Sequence, residues 1–374
     1  MSIPFIDLAA QQTRLKSDID ARMAAVLAHG KYIMGPEVAD LEQELPKFCG
    51  AQHSISVSSG TDALLMALMG DDIGPGDAVF LPAFTFTATA EVVIIAGATP
   101  VFVDVDPGNY NIDYDDLQRR IDAVVTAGKL KPRAIVPVDL FGLSADYSRL
   151  SQIAARHDML VIADAAQSFG GDVRGQRVGS LAPISATSFF PAKPLGCYGD
   201  GGAIFTDDEE RADRWKSIRA HGKGGQKYDI IRIGLNARMD TLQAAILLSK
   251  LTIFGDEVTT REKLARHYDD RLANHVVLPG REDGVQSAWA QYTIQVEGRD
   301  NVVTTLKDKG VPTAVYYPLP MHLQTAYASY GDGKGSLPVS ERLSGRVLSL
   351  PMHPYMSEAT ADFICDAVIE ATKA

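Results

Sequence analysis

The stretch that decides the fold is "RAIVPVDLFGLSADYSRLSQIAARHDMLVIADAA", residues 133–166, in which two short apolar runs flank a helical stretch. Two strands joined in this way are parallel, because a parallel pair needs a crossover connection. The same alternation extends from about Gln52 to Thr206. The runs that indicate strands are HSISVSS, AVFLP, TPVFVDV, RAIVPVDLFG, DMLVIADAA, SATSFFP and GGAIFTD. The sequence therefore predicts an α/β domain on a largely parallel, helix-covered sheet.

The rest of the chain predicts a smaller α+β domain. "DTLQAAILLSKLTIF", from Asp240, indicates a helix with a broad apolar face, and "VTTREKLARHYDDRLAN" continues as a charged amphipathic helix. Strand candidates are AWAQYTIQVE and PTAVYYPLP, and SEATADFICDAVIEATKA predicts a final helix. We place the boundary near Gly255, which divides the chain into a large domain, 1–255, and a small C-terminal domain, 256–374.

Composition and net charge restrict the classes of protein to which the chain can belong. The chain has 374 residues, 46% hydrophobic and 22% charged, which is typical of a soluble globular protein. Its net charge of −11 argues against general binding to nucleic acid or membrane surfaces. Cys49, Cys197 and Cys365 are widely separated, so we expect free thiols and no metal site. No basic segment leads into an apolar stretch at the start, and no apolar run reaches about 18 residues, so we expect a cytoplasmic location.

The first chemical motif is the lysine of "SFFPAKPLGCYGDGGAIF", residues 188–205. Lys193 stands between an apolar run and a glycine-rich turn, with proline directly after it. Burial among apolar groups lowers the pKa of a lysine, and a lysine with a lowered pKa is a nucleophilic amine. The alternative is a surface lysine whose stem packs on the protein while its ammonium stays in water.

Two further motifs could each bind part of one cofactor together with Lys193. "SVSSGTDALLMAL", from Ser56, runs from a strand into a helix whose N-terminus is suited to phosphate, although it also matches an ordinary capped helix. In "VIADAAQSFG", Asp164 closes an apolar strand and is suited to holding a ring nitrogen protonated, with Gln167 in reach of a phenolic oxygen. The alternative is an aspartate that caps the next turn. A phosphate site, an aspartate and a reactive lysine together indicate pyridoxal phosphate.

From "FIDLAAQQ" near the start to "LSLPMHPYMSEA" near the end, the chain resembles the DegT/StrS family of sugar aminotransferases. These are fold-type I pyridoxal-phosphate enzymes that act on nucleotide-linked keto sugars. The resemblance implies that Lys193 binds the cofactor covalently and moves protons. It implies that Asp164 binds the pyridine nitrogen and that Gln167 lies near the ring hydroxyl.

The resemblance also supplies residues that the motifs alone do not. It makes Gly60, Thr61 and Ser188 phosphate ligands and places Phe86 of "PAFTFTATAE" over the cofactor ring. The "GLNAR" stretch matches a loop supplied by a neighbouring subunit, so Asn236 would reach the phosphate across a homodimer interface.

A basic region, "RAHGKGGQKYDIIRIGLNAR", ends in that loop. Its cations are Arg219, Lys223, Lys227, Arg232 and Arg238. Charge clusters are often solvated loops, but the resemblance indicates that Arg238 and its neighbours concentrate positive potential near an anionic nucleotide sugar.

The expected reaction moves an amino group from L-glutamate to a nucleotide-linked keto sugar. The subgroup that the motifs resemble uses a UDP-linked 3-keto sugar of the N-acetylglucosaminuronate type in lipopolysaccharide O-antigen synthesis. Tyr316 and Tyr317 of "GVPTAVYYPLP" are expected to face the sugar, although that subgroup has histidine at the position of Tyr316. Alternatives are a dTDP-linked 3- or 4-keto-6-deoxysugar, and a non-catalytic regulator. A third, the sugar dehydratase branch, has histidine in place of the lysine, so Lys193 argues against it.

Overall fold

The structure, a computed structural model, describes residues 3–226 and 228–373. The helices are α1 Leu8–His29, α2 Pro36–Cys49, α3 Gly60–Gly70, α4 Ala88–Ile95, α5 Tyr114–Ala127, α6 Tyr147–Ala155, α7 Glu209–Arg219, α8 Thr241–Leu272, α9 Arg299–Asp308, α10 Pro338–Ser344 and α11 Glu358–Ala371. The strands are β1 His53–Val57, β2 Asp77–Pro82, β3 Thr99–Val103, β4 Lys131–Ile135, β5 Leu160–Asp164, β6 Asp172–Val173, β7 Gln176–Arg177, β8 Ile184–Ser188, β9 Gly202–Thr206, β10 Val285–Gln286, β11 Tyr292–Gln295 and β12 Val347–Leu350.

The main sheet has seven strands in the order β1-β9-β8-β5-β4-β2-β3. Each of these strands overlaps one of the predicted strand runs, and the predicted α/β fold is confirmed. The pairs from β3 to β8 are parallel. Strand β9 pairs antiparallel with both β1 and β8. The largely parallel order brings the carboxyl ends of β5 and its parallel neighbours to one edge of the sheet, where ligands bind in such folds.

Polar side chains define where the helices begin. Asp113 accepts hydrogen bonds from the first-turn backbone N–H groups of α5, and Asp146 and Asp208 do the same for α6 and α7. These bonds satisfy N–H groups that have no partner within the helix. The caps therefore fix the residue at which each of these helices begins.

Two glycines bring α3 against the sheet. A Cβ atom on Gly60 would lie 2.7 Å from Cβ of Ser188 at the end of β8, and one on Gly202 would lie 2.6 Å from the carbonyl carbon of Ser59. Larger residues would separate these segments. The N-terminus of α3 is therefore held directly beside the end of β8.

The C-terminal part has its own apolar core. Tyr268 and Leu272 of α8 pack there with residues of β11, β12 and α11. Helix α8 runs unbroken through Gly255, so the chain passes the expected domain boundary as a helix. Strand β11 and helix α11 confirm two predicted elements.

One strand prediction is wrong. The run PTAVYYPLP makes only an isolated bridge, between Ala314 and Ser349, and is otherwise irregular. Pro312, Pro318 and Pro320 have no N–H group to donate to a ladder, which explains why pairing does not extend.

Two expectations from composition can be compared with the structure. Within residues 3–226 and 228–373, no helix combines the length and apolar character needed to cross a bilayer. Cys49, Cys197 and Cys365 are buried free thiols, as predicted.

Candidate active site

A cavity of about 490 Å³ opens at the carboxyl edge of the main sheet. It collects residues from α3, the start of α4, the ends of β5 and β8, and the segment before α10. The predicted residues that line it are Gly60, Thr61, Phe86, Asp164, Gln167, Ser188, Lys193, Tyr316 and Tyr317. These come from distant parts of the chain, so the fold brings together every predicted site residue except Asn236 and Arg238.

Lys193 and Asp164 line the cavity together and interact electrostatically. Lys193 lies in the turn between β8 and β9, where burial lowers the pKa of its amine while the charge of Asp164 opposes that shift. Asp164 is 6% exposed at the end of β5. Burial raises the pKa of its carboxyl, whereas the hydroxyl of Thr89 at 2.7 Å and the charge of Lys193 lower it. A cationic ring N–H is the kind of partner that such a buried carboxylate accommodates.

Gln167 has a defined orientation. Its Oε1 accepts a hydrogen bond of 2.7 Å from the backbone N–H of Phe141. Its Nε2 donates to the hydroxyl of Tyr317 at 3.3 Å. The amide N–H groups, rather than the carbonyl, therefore face the cavity, and they can donate to a phenolic oxygen of a bound ring.

The N-terminus of α3 is suited to an anion. Ser59 caps the helix by accepting a hydrogen bond of 3.0 Å from the N–H of Asp62. Gly60 and Thr61 form the first turn, where backbone N–H groups have no acceptor within the helix. Ser188, whose Oγ accepts from the N–H of Phe190 at 3.2 Å, adds a hydroxyl beside them. N–H groups, hydroxyls and the helix dipole together fit a phosphate.

Aromatic side chains border the mouth of the cavity. Phe86 is 54% exposed, and its ring centre lies 6.3 Å from that of Tyr317. Burial raises the pKa of the Tyr317 phenol well above its usual range, and that of Tyr316 is raised for the same reason. Both phenols therefore remain protonated hydrogen-bond donors at neutral pH.

Asn236 and Arg238 do not line the cavity within one chain. Asn236 is exposed, and its Oδ1 accepts a hydrogen bond of 2.9 Å from Nε of Arg238. The expectation that Arg219 belongs to an exposed basic cluster is wrong. Arg219 is 5% exposed, forms an ion pair with Glu42 and donates to the carbonyl of Ser56 at 2.7 Å. A buried guanidinium needs such partners and is not available to a ligand. Lys227 lies outside the described residues.

Sequence reasoning missed a residue that touches the site. Thr89 is fully buried and donates to Asp164, 75 positions away. A signal was present, because Thr89 is a hydroxyl residue in the otherwise apolar start of α4, in the same run as Phe86.

Comparisons with known proteins place the chain among sugar aminotransferases. The model of the DegT/DnrJ/EryC1/StrS aminotransferase family matches residues 13–369. A Pseudomonas aeruginosa protein called UDP-2-acetamido-2-deoxy-3-oxo-D-glucuronate aminotransferase is 48% identical over 98% of this chain and 99% of its own. A UDP-N-acetyl-3-dehydro-alpha-D-glucosamine 3-aminotransferase of Acidithiobacillus ferrooxidans is 39% identical over 96% of this chain and 94% of its own. A dTDP-3-amino-3,4,6-trideoxy-alpha-D-glucose transaminase of Streptomyces venezuelae is 38% identical over 98% of this chain and 96% of its own.

Comparison with solved structures also identifies sugar aminotransferases. A DegT DnrJ EryC1 StrS aminotransferase from Brucella abortus matches with a TM-score of 0.97 and 51% identity, covering 100% of both chains. The PLP form of the sugar aminotransferase Spr1654 from Streptococcus pneumoniae matches with a TM-score of 0.90 and 26% identity, covering 100% of this chain and 99% of that one. Pyridoxal phosphate, predicted from the motifs, is confirmed as the cofactor, and the chain belongs to the DegT/DnrJ/EryC1/StrS aminotransferase family.

Proposed function

We propose that the chain transfers an amino group from an amino acid, L-glutamate, to carbon 3 of UDP-2-acetamido-2-deoxy-3-oxo-glucuronate. The observation that carries the reaction type is one cavity lined by both an amine, Lys193, and a buried carboxylate, Asp164. The match of 48% identity over 98% of the chain supports the choice of sugar. The product is an amino sugar uronate of the kind used in bacterial O-antigen polysaccharides.

Each site residue has a proposed role in holding the cofactor. Lys193 binds it covalently through Nζ, Asp164 binds the ring nitrogen, and Gln167 donates to the ring hydroxyl. The phosphate lies at the N-terminus of α3 with Ser188, and Phe86 covers the ring. When bound, pyridoxal phosphate supplies a ring that accepts the electrons released as a carbon–hydrogen bond breaks. Borohydride reduction followed by peptide mapping tests the link, and a label on any lysine other than Lys193 refutes it.

The amine of Lys193 is proposed to move the proton. Once the donor's amino group has displaced it, Lys193 is a free amine, and its lowered pKa favours the neutral form that accepts a proton. Lys193 removes the proton from the α-carbon of the donor and later delivers one to carbon 3 of the sugar. Asp164 stays ionised and keeps the ring nitrogen protonated. Tyr316, Tyr317 and Phe86 exclude water from the mouth of the cavity.

The site is proposed to be completed by a second copy of the chain. Asn236 and Arg238 lie away from the cavity of their own chain, in a loop with exposed apolar side chains: Ile230 is 57%, Ile231 55% and Ile233 83% exposed. Exposed apolar segments of this kind are typical of subunit interfaces. In a homodimer, Asn236 would bind the partner's phosphate group, and Arg238 would bind the sugar carboxylate with two parallel hydrogen bonds.

A pair of substrates that differ in one group tests the choice of sugar. UDP-3-keto-N-acetylglucosaminuronate carries a carboxylate where UDP-3-keto-N-acetylglucosamine carries a hydroxymethyl group. We expect the pyridoxamine form to react faster with the uronate, measured by the return of visible absorbance. Arg238→Ala should remove most of this preference, whereas Lys216→Ala, a control on α7 paired with Asp213, should keep it.

Three outcomes contradict this assignment. Equal rates with the two UDP sugars would show that the carboxylate is not recognised. Faster reaction of a dTDP-linked 3- or 4-keto-6-deoxysugar would favour the second candidate, which the Streptomyces venezuelae relative supports. A protein that binds no cofactor and shows no visible absorbance would favour a non-catalytic regulator.

Two broader proposals complete this assignment. The chain forms two domains, 1–255 and 256–374, joined through α8, and works in the cytoplasm, where nucleotide sugars are made. A fragment of residues 1–255 that does not fold when it is expressed alone, or fractionation that recovers the protein outside the cytoplasm, would contradict them.

A further inference from the structure

A buried carboxylate that the proposed reaction does not use lies directly behind the cavity. Asp139 is 0% exposed and precedes the short helical turn Leu140–Gly142. Its backbone N–H donates to the carbonyl of Asp164 at 3.1 Å, so this turn is attached to the end of β5. Burial raises the pKa of the Asp139 carboxyl to about 7, and hydrogen bonds from Ser168, Ala145 and Tyr147 oppose that shift. A polar group buried this deeply needs such donors around it, and their arrangement indicates what it holds together.

The two oxygens of Asp139 bind two different segments. Oδ1 accepts from the backbone N–H of Ala145 and from the hydroxyl of Tyr147, both at 2.8 Å. Oδ2 accepts from the hydroxyl of Ser168 at 2.6 Å. Because Ser168 directly follows Gln167, the carboxylate ties the turn on one side to the segment that carries Gln167 on the other.

These two segments also meet inside the cavity wall. Phe141 adopts φ 61° and ψ 0°, a left-handed conformation that is unfavourable for any residue but glycine and a few polar ones. In that conformation its N–H donates to Oε1 of Gln167 at 2.7 Å. This hydrogen bond decides which end of the Gln167 carboxamide faces the cavity. Without it, either the oxygen or the nitrogen could face the cavity.

We propose that Asp139 is a positioning residue, whose carboxylate clamps the Phe141 turn to the Gln167 segment and thereby keeps the amide N–H of Gln167 directed at the cofactor's ring hydroxyl. This inference rests on the role proposed above for Gln167. Without the clamp, Phe141 relaxes from its left-handed conformation, and Gln167 keeps only its bond to the Tyr317 hydroxyl, which does not fix which end of the carboxamide faces the cavity. Preorganisation of a group that touches the cofactor depends on such supporting hydrogen bonds.

The first test uses the cofactor-free protein. Hydrogen exchange of the Phe141 amide reports directly on the bond to Gln167. Asp139→Ala should lower its protection by about tenfold, and Ser168→Ala, which removes one bond of the clamp, should lower it less. Asp139→Asn should retain most protection, because its oxygen still accepts from Ala145 and its amide donates to the Ser168 hydroxyl.

The matched control is Asp146→Ala. Asp146 caps α6 by accepting from Arg149 at 3.0 Å and lies beside the clamp, but it binds none of its partners. We expect a loss of stability with unchanged protection at Phe141. Unchanged protection in both Asp139→Ala and Ser168→Ala overturns the proposal. If Asp139→Ala does not fold, the other two variants still test the clamp. Lower protection of the Phe141 amide in Ser168→Ala than in Asp139→Asn supports it, and equal protection overturns it.

The second test is a double-mutant cycle in the loaded enzyme. Asp139→Ala should slow the first half-reaction by about tenfold in the parent and by less than about twofold in a Gln167→Ala background. The pH midpoint of the visible absorbance should shift in the same direction in both single variants. Independent, additive effects overturn the clamp. A normal rate for Gln167→Ala alone refutes the role proposed for Gln167, while exchange at Phe141 still decides whether the clamp exists.

Discussion

Gly60→Ala tests the phosphate site without altering a reactive group. A Cβ atom at residue 60 would lie 2.7 Å from Cβ, 3.1 Å from Cα and 3.2 Å from Oγ of Ser188. Ordinary contact begins at 3.4 Å, so α3 and the end of β8 must separate by about 0.7 Å. Ser188 has little room to move, because it is paired with Gly202 of β9.

The separation should weaken both folding and cofactor binding. Overpacking of this kind lowers the free energy of unfolding by about 1–3 kcal/mol. The backbone N–H groups of the first turn move away from the Ser188 hydroxyl, and misplacement approaching 1 Å is costly for groups that act together, so we expect affinity for pyridoxal phosphate to fall by about tenfold or more.

Two measurements separate these effects. Titration of the cofactor-free protein with pyridoxal phosphate, followed by absorbance, gives Kd, and urea unfolding gives stability. Gly255→Ala is the control, because a Cβ there meets nothing within 4 Å and the residue lies inside α8. It should raise stability by about 0.5–1 kcal/mol and leave Kd unchanged. A destabilised Gly60→Ala protein with unchanged Kd would show that the phosphate is held elsewhere.

Three further predictions concern the chemistry and the assembly. Asp164→Asn should retain the cofactor but slow the first half-reaction by about 100-fold or more, because an amide cannot hold the ring nitrogen protonated; near-normal single-turnover kinetics would make Asp164 a structural cap. In the cofactor-free protein, labelling of Lys193 by an amine reagent should reach half its maximal rate below pH 10.5, because burial lowers the amine's pKa. Asp164→Asn should lower that midpoint further by removing the charge that opposes the shift, and an unchanged midpoint would contradict their coupling. Mixing inactive Lys193→Ala subunits with inactive Arg238→Ala subunits should restore some activity, since one hybrid site receives both intact groups. No recovery after proven subunit exchange would place the site within one chain.

Local pattern was enough for the fold and for part of the site. Short β-rich runs, several of them apolar throughout, predicted all seven strands of the main sheet, because a strand buried on both faces is recognisable from its own residues. Lys193 and Asp164 were predicted for the same reason: each stands at the end of such a run, and parallel strands bring their carboxyl ends to one edge. The run PTAVYYPLP shows where prediction from local pattern fails. Its apolar residues indicated a strand, but its prolines prevent one.

The sequence by itself therefore determined the α/β fold and placed Lys193 and Asp164 at one edge of the sheet. Only the tertiary structure decided the groups that orient Gln167 and bind Asp164. Phe141 and Gln167 are 26 positions apart, Asp139 and Ser168 are 29 apart, and Thr89 and Asp164 are 75 apart. Hydrogen bonds over such separations depend on how whole elements pack, because each partner is satisfied only when another segment arrives with a donor or acceptor at about 2.6–3.0 Å. The residue pattern within one segment therefore does not predict how close it lies to its hydrogen-bond partner in another segment.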